Sequence, residues 1–151
     1  MAIEKVVVPV DFSENSEQAL SVAVDLARTL GAEIHVVHVV PTVPYFGPPF
    51  VPGPVLIGQV KEAGRKELDA LMARLRARGI NASAVLAEGV AYTEIDRAAA
   101  DLGADLIVIG THGRTGFQHL LLGSVAERVV RMSRIPVMVV PPKNKAGEPT
   151  K

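Results

Sequence analysis

The sequence predicts a single α/β domain, an open and mostly parallel sheet covered on both faces by helices. Three observations carry this. Short runs such as Val6-Val7-Val8 and Leu106-Ile107-Val108-Ile109 are apolar at every position, as in strands buried on both faces. Between such runs lie segments with apolar residues at helical spacing, several of them stopped by a glycine. Finally, 151 residues, 48% of them hydrophobic, suit one ordinary domain with a sizeable core.

Taken in order, Ile3 with Val6-Val7-Val8 forms a first strand that ends at Pro9-Val10-Asp11-Phe12-Ser13. A helix over Glu14 to Leu30 places Ala19, Val22, Ala23, Leu26, Ala27 and Leu30 on its apolar side and stops at Gly31. Glu33 to Val40 is the second strand. The stretch 41–58 has no charged residue and holds six of the eleven prolines together with Tyr45, Phe46 and Phe50. That proline density argues against helix or central strand, so a long inserted loop is expected, serving as a flap over the core, a lid over a ligand, or a partner contact. A helix from Gln59 to Arg78 presents Leu68, Leu71, Met72 and Leu75 on one side and charges on the other, and Gly79 ends it. Ile80 to Ala87 is a third strand, Glu88 to Ala91 a turn, Tyr92 to Leu102 a helix and Gly103 its stop. Leu106 to Gly110 makes the fourth strand, Ser124 to Ser133 the fourth helix and Ile135 to Val140 the fifth strand. Pro136, Pro141 and Pro142 around that last strand suit a sheet edge. Residues 1–142 make the domain, and the polar tail 143–151 is expected to be disordered.

Composition narrows the function. Lys plus Arg equal Asp plus Glu at 16 each, and aromatic residues are only 4%, so a nucleic-acid footprint is missing. The absence of cysteine excludes disulfides, thiol catalysis and thiolate metal sites. The start has no signal-peptide pattern and no apolar run is long enough to span a bilayer, so a soluble cytoplasmic protein is expected. His35 and His38, three apart on a strand, face opposite sides and do not form a metal pair.

The segment from Gly110 to Ser124 joins a buried strand to a helix through a glycine-rich loop. Glycine allows close approach of backbone to a ligand, and free amides at a helix start favour an anion. Gly110, Gly113 and Gly116 are spaced three apart, unlike the dinucleotide G-x-G-x-x-G, and no P-loop lysine follows a glycine. Another pattern fits without a gap: glycine, two residues, glycine, nine residues, then glycine and serine, at Gly110, Gly113, Gly123 and Ser124. Ser124 with Glu127 also reads as a capping box, which needs no ligand.

With that motif the sequence resembles the universal stress protein family, in particular its ATP-binding branch, over roughly residues 3 to 141. The resemblance implies an adenine nucleotide alpha hydrolase-like sheet of strand order 3-2-1-4-5. Strands 1 and 4 are then neighbours at the switch point where open α/β sheets bind ligands. It also implies adenine and ribose contacts at Pro9, Val10, Asp11 and Val40, and contacts to the phosphates and ribose at Gly110, Gly113, Gly123 and Ser124, with Val125 next to them; His112 and Arg114 can add positive charge to this loop, touching a phosphate or nothing. ATP would bring Mg2+ or Mn2+ through its phosphates. Asp11 can accept hydrogen bonds from ribose hydroxyls; capping of the first helix by Asp11 or Ser13 is the alternative reading, and Val40 reads equally as a core valine. Ala91 stands where many members carry proline. In the family, strand 5, here Val137, Met138, Val139 and Val140, forms a homodimer contact, and such an apolar edge invites pairing. No assembled nucleophile and base can be named. The expected function is a nucleotide-dependent stress-response module. A slow ATPase at the same loop, an interaction module using Tyr45, Phe46 and Phe50, and AMP or a cyclic nucleotide as ligand remain open.

Overall fold

The computed structural model describes residues 1–42, 54–112 and 122–143, with side chains described from residue 57 in the second of these stretches. Nine elements alternate: β1 (Lys5–Pro9), α1 (Glu14–Leu30), β2 (Glu33–Pro41), α2 (Pro54–Ala77), β3 (Ala82–Gly89), α3 (Ala91–Leu102), β4 (Leu106–Gly110), α4 (Ser124–Met132) and β5 (Val137–Val140). The strands form one sheet of order β3-β2-β1-β4-β5, the order that the resemblance implies, and all described pairs are parallel.

The central strands explain the unbroken apolar runs. Val6 and Val8 join α1 and α2 in one core layer with Leu20, Val24, Leu68, Leu71 and Leu75. Val7 and Ile107 face the other layer, with Ile95, Ala99 and Val129 of α3 and α4. Alternate side chains of one strand therefore reach opposite cores, and a polar residue on either face would lose a burial worth about 1.5–3 kcal/mol. Gly31 and Gly103 end their helices in the left-handed conformation, at φ 70° and 64°. At the amino end of the sheet, Asp105 accepts the Glu4 and Lys5 N–H groups at 2.9 Å each. These two bonds hold its carboxyl below the usual carboxylate range.

Two expectations are corrected. The helix expected from Gln59 begins at Pro54, which shortens the expected loop 41–58 at both ends, since β2 runs through Pro41. Proline fits the first turn of a helix, where its missing N–H has no intrahelical acceptor, so proline density failed as a helix-breaking signal there. The expected contacts at Tyr45, Phe46 and Phe50, and nearly all of the tail 143–151, lie outside the described residues. The edge position of β5 agrees with the prolines around it. Among the described residues, no helix is long and apolar enough to cross a membrane.

Candidate functional site

The carboxyl ends of β1 and β4 lie side by side at the switch point, and each passes into a helix there. The two passages meet at Gly110. A methyl group added to this residue would lie 2.9 Å from the Asn15 carbonyl oxygen in the first turn of α1. Gly110 is thus required for strand-to-helix packing.

The β1 passage is short and saturated with internal bonds. The Val10 N–H extends the sheet ladder to the Val37 carbonyl at 2.8 Å. Its own carbonyl accepts the Nδ1–H of His38, also at 2.8 Å, because a carbonyl oxygen only accepts. Asp11 Oδ1 accepts the Ser13 N–H at 3.0 Å, and Ser13 Oγ accepts the Ser16 N–H at 3.2 Å. Ser13 is therefore the N-cap of α1, with Asp11 bracing the turn before it. Between Val10 and Ser13 the chain turns sharply, with Phe12 at φ 63°. A left-handed aromatic residue costs on the order of 1–3 kcal/mol and persists only where its surroundings hold it. Here the Phe12 ring lies against the His38 imidazole, centroids 4.5 Å apart.

The β4 passage is built differently. Thr111 donates its N–H to the Val140 carbonyl at 3.1 Å and is buried, with its hydroxyl 2.9 Å from His112 Nδ1. Its carbonyl accepts the Gly123 N–H at 2.5 Å, so the two ends of the glycine-rich loop close onto one residue. A side chain at Gly123 would come within 2.7 Å of that same carbonyl. Gly123 is the N-cap of α4 and makes no side-chain cap bond. The capping box expected of Ser124 and Glu127 is not formed: Ser124 is the first helical residue, and Glu127 turns down the helix to Arg131 at 2.7 Å. Steric demand at Thr111 places glycine at the cap, where a serine would otherwise serve. The first-turn amides of α4, those of Ser124, Val125 and Ala126, thus have no intrahelical acceptor, and the cap residue Gly123 gives them no side-chain bond.

Other expected residues are distributed around these passages. Pro9 closes β1, and Val10 is buried. Val40 is also buried, at 3% exposure, and lies behind Gly64 of α2. Gly113 and Arg114 lie outside the described residues. His38 and Gly64 were not anticipated as site residues. A glycine inside the helical pattern of α2 is the signal that could have shown them, since such a glycine marks a close approach. Among the described residues, no three His, Asp or Glu side chains come together as a metal site.

Comparison with known proteins agrees with this geometry. The sequence model of the universal stress protein family matches residues 2–141. The chain is 38% identical to the universal stress protein MJ0531 of Methanocaldococcus jannaschii, over 91% of this chain and 81% of that one. Among solved structures, MJ0577 superposes with a TM-score of 0.82 at 30% identity, covering 96% of this chain and all of the other. A universal stress protein in complex with cAMP superposes at 0.70, with 25% identity and 95% and 100% coverage. One from Archaeoglobus fulgidus in complex with dAMP does so at 0.63, with 25% identity and 92% and 98% coverage.

Proposed function

The chain belongs to the universal stress protein family, and we propose that it is an ATP-binding member, a regulatory module whose conformation or partner contacts respond to nucleotide. One observation carries the reading. β1 and β4 are paired neighbours, β1 leads into the corner that carries Asp11, and β4 leads on to a helix whose cap residue, Gly123, makes no side-chain bond. The α4 amides and the Ser124 hydroxyl would take the phosphates, with Gly110, His112, Gly113, Arg114, Gly123 and Val125 shaping the loop around them. Asp11 would accept from the ribose, with Pro9, Val10 and Val40 forming the apolar wall on the adenine side. A magnesium or manganese ion would arrive on the phosphates, which supply most of its oxygen ligands. The cAMP and dAMP complexes of relatives keep a monophosphate as the second reading of the same site.

The protein is to be purified without added nucleotide, denatured, and its released small molecules identified by anion exchange and mass spectrometry. ATP near one equivalent per chain is the expected result. Release of AMP or a cyclic nucleotide would favour the second reading. No release, together with no thermal shift on adding ATP and magnesium, would remove the nucleotide function.

We further propose a homodimer through the edge of β5. Met138 is exposed at that edge, and Val130 and Met132 of α4 add exposed apolar surface. Met138→Lys is expected to convert the dimer to monomer in sedimentation velocity at micromolar concentration. A wild-type monomer under those conditions would contradict the proposal.

A further inference from the structure

We infer that His38 is a positioning residue for nucleotide recognition: it clamps the β1 corner so that Asp11 is held toward the ribose. The inference rests on the nucleotide reading above. Adjacent residues of β2 grip Val10 at both its polar groups, Val37 O taking its N–H and His38 Nδ1–H bonding its carbonyl, each at 2.8 Å. The imidazole face then supports Phe12, the residue held at φ 63°. Asp11 lies between these two residues, so both of its peptide neighbours are fixed by one side chain. Behind the ring stands α2. A Cβ at Gly64 would be 3.0 Å from His38 Nε2 and 3.1 Å from Cδ2, so glycine there leaves the ring its place, and the helix prevents it from retreating. The corner, the imidazole and the helix form one stack, and the left-handed turn at Phe12 would relax without it.

The imidazole bonds the carbonyl of Val10 and packs on Phe12, the two residues that flank Asp11, and so acts through the corner rather than on the nucleotide itself. Its variants should change selectivity for the ribose more than affinity in general. The readout is the ratio of dissociation constants for 2′-deoxy-ATP and ATP, each with magnesium, measured by calorimetry on the full chain. His38→Leu keeps much of the bulk and removes the donor, and the ratio is expected to fall roughly tenfold, toward one. His38→Asn places an N–H donor where Nδ1 stood and is expected to keep most of the preference. In an Asp11→Asn background, His38→Leu is expected to add no further loss of selectivity, as for two residues acting through one interaction.

An unchanged ratio in His38→Leu, or an equal loss of affinity for both nucleotides, would overturn the inference while leaving the nucleotide reading intact. Loss in His38→Asn as large as in His38→Leu would overturn the role given to the hydrogen bond. No binding of either nucleotide by the wild type would instead sink the nucleotide reading, and this inference with it. Should His38→Leu fail to fold, Gly64→Ala presses on the ring from α2 and is expected to lower the same ratio. An unchanged ratio in that variant would equally count against the clamp.

Discussion

The two strand-to-helix passages at the switch point solve opposite problems. From β1 to α1 the chain crosses in four residues, 10–13, and satisfies its helix start with its own Ser13. From β4 to α4 thirteen residues, 111–123, intervene, and the helix they lead to is capped by a glycine. The α3 start has no side-chain cap bond either, but there the buried carboxylate of Glu94 packs against Gly89 and pairs with Arg97. On the proposed function, the difference sets where an anion would bind. A helix end completed by its own side chain is a scaffold, whereas one left incomplete by a steric requirement for glycine is open to a ligand.

Substitution at Gly123 tests this contrast with the largest expected effect. In Gly123→Ala the new methyl group meets the Thr111 carbonyl at 2.7 Å, and backbone must shift to admit it. Nucleotide affinity is expected to drop by at least about a hundredfold, with a stability loss of about 1–3 kcal/mol for the overpacking. Retained affinity in calorimetry would break the comparison.

The two serines sharpen it. Ser13→Ala removes a true cap and is expected to cost about 1 kcal/mol in urea denaturation, with nucleotide affinity within about twofold of wild type. Ser124→Ala removes no cap bond and is expected to leave stability within about 0.5 kcal/mol while weakening ATP binding about tenfold. Reversal of the two patterns would mean that the roles of the helix starts had been exchanged.

The smallest effect concerns the two histidines of β2. His38 donates to the Val10 carbonyl, whereas His35, three residues earlier and on the other face, keeps Nδ1 2.6 Å from Ser83 Oγ and has, among the described residues, no hydrogen-bond partner for its buried Nε2. Glu33 lies 3.6 Å from that nitrogen, too far for a hydrogen bond. Burial pushes the His35 pKa down, opposed in part by the Glu33 charge and helped by Lys5. With the folded pKa below the unfolded one, the unfolded chain binds more protons once the pH drops below about 6.5, so stability rises with pH there and is lost on acidification. Thermal unfolding between pH 7 and pH 5 is expected to show this loss, with a shallower slope in His35→Gln. Equal slopes would remove His35 as the cause.

Much of this was legible in the sequence because it rests on local signals. The Val6 to Val8 and Leu106 to Ile109 runs give buried strands, and Gly31 and Gly103 give helix stops whose left-handed φ the structure confirms. Of the candidate site, the β4 side was legible where the motif marks it, at Gly110, Gly123 and Ser124, and the β1 side at the strand end that carries Asp11. The start of α4 at Ser124 was read correctly, but its cap was not, because Ser124 and Glu127 imitate a capping box. What moved the cap to Gly123 is the Thr111 carbonyl, a contact between the two ends of the loop that spacing cannot reveal. His38 escaped for a related reason. Strand alternation shows which face a histidine takes, but its partners, Val10 and Gly64, come from other elements.

The most direct test of the central claim is to titrate the isotope-labelled protein with ATP and magnesium and follow its backbone amide resonances. The expected result is that the largest shifts fall on Ser124, Val125 and Ala126, with a second group at Asp11 and Thr111, while Ser16 and Glu17 in the capped first turn of α1 move little. Shifts centred on the α1 start, or none at the α4 start under saturating nucleotide, would contradict the assignment of the open helix end to the phosphates.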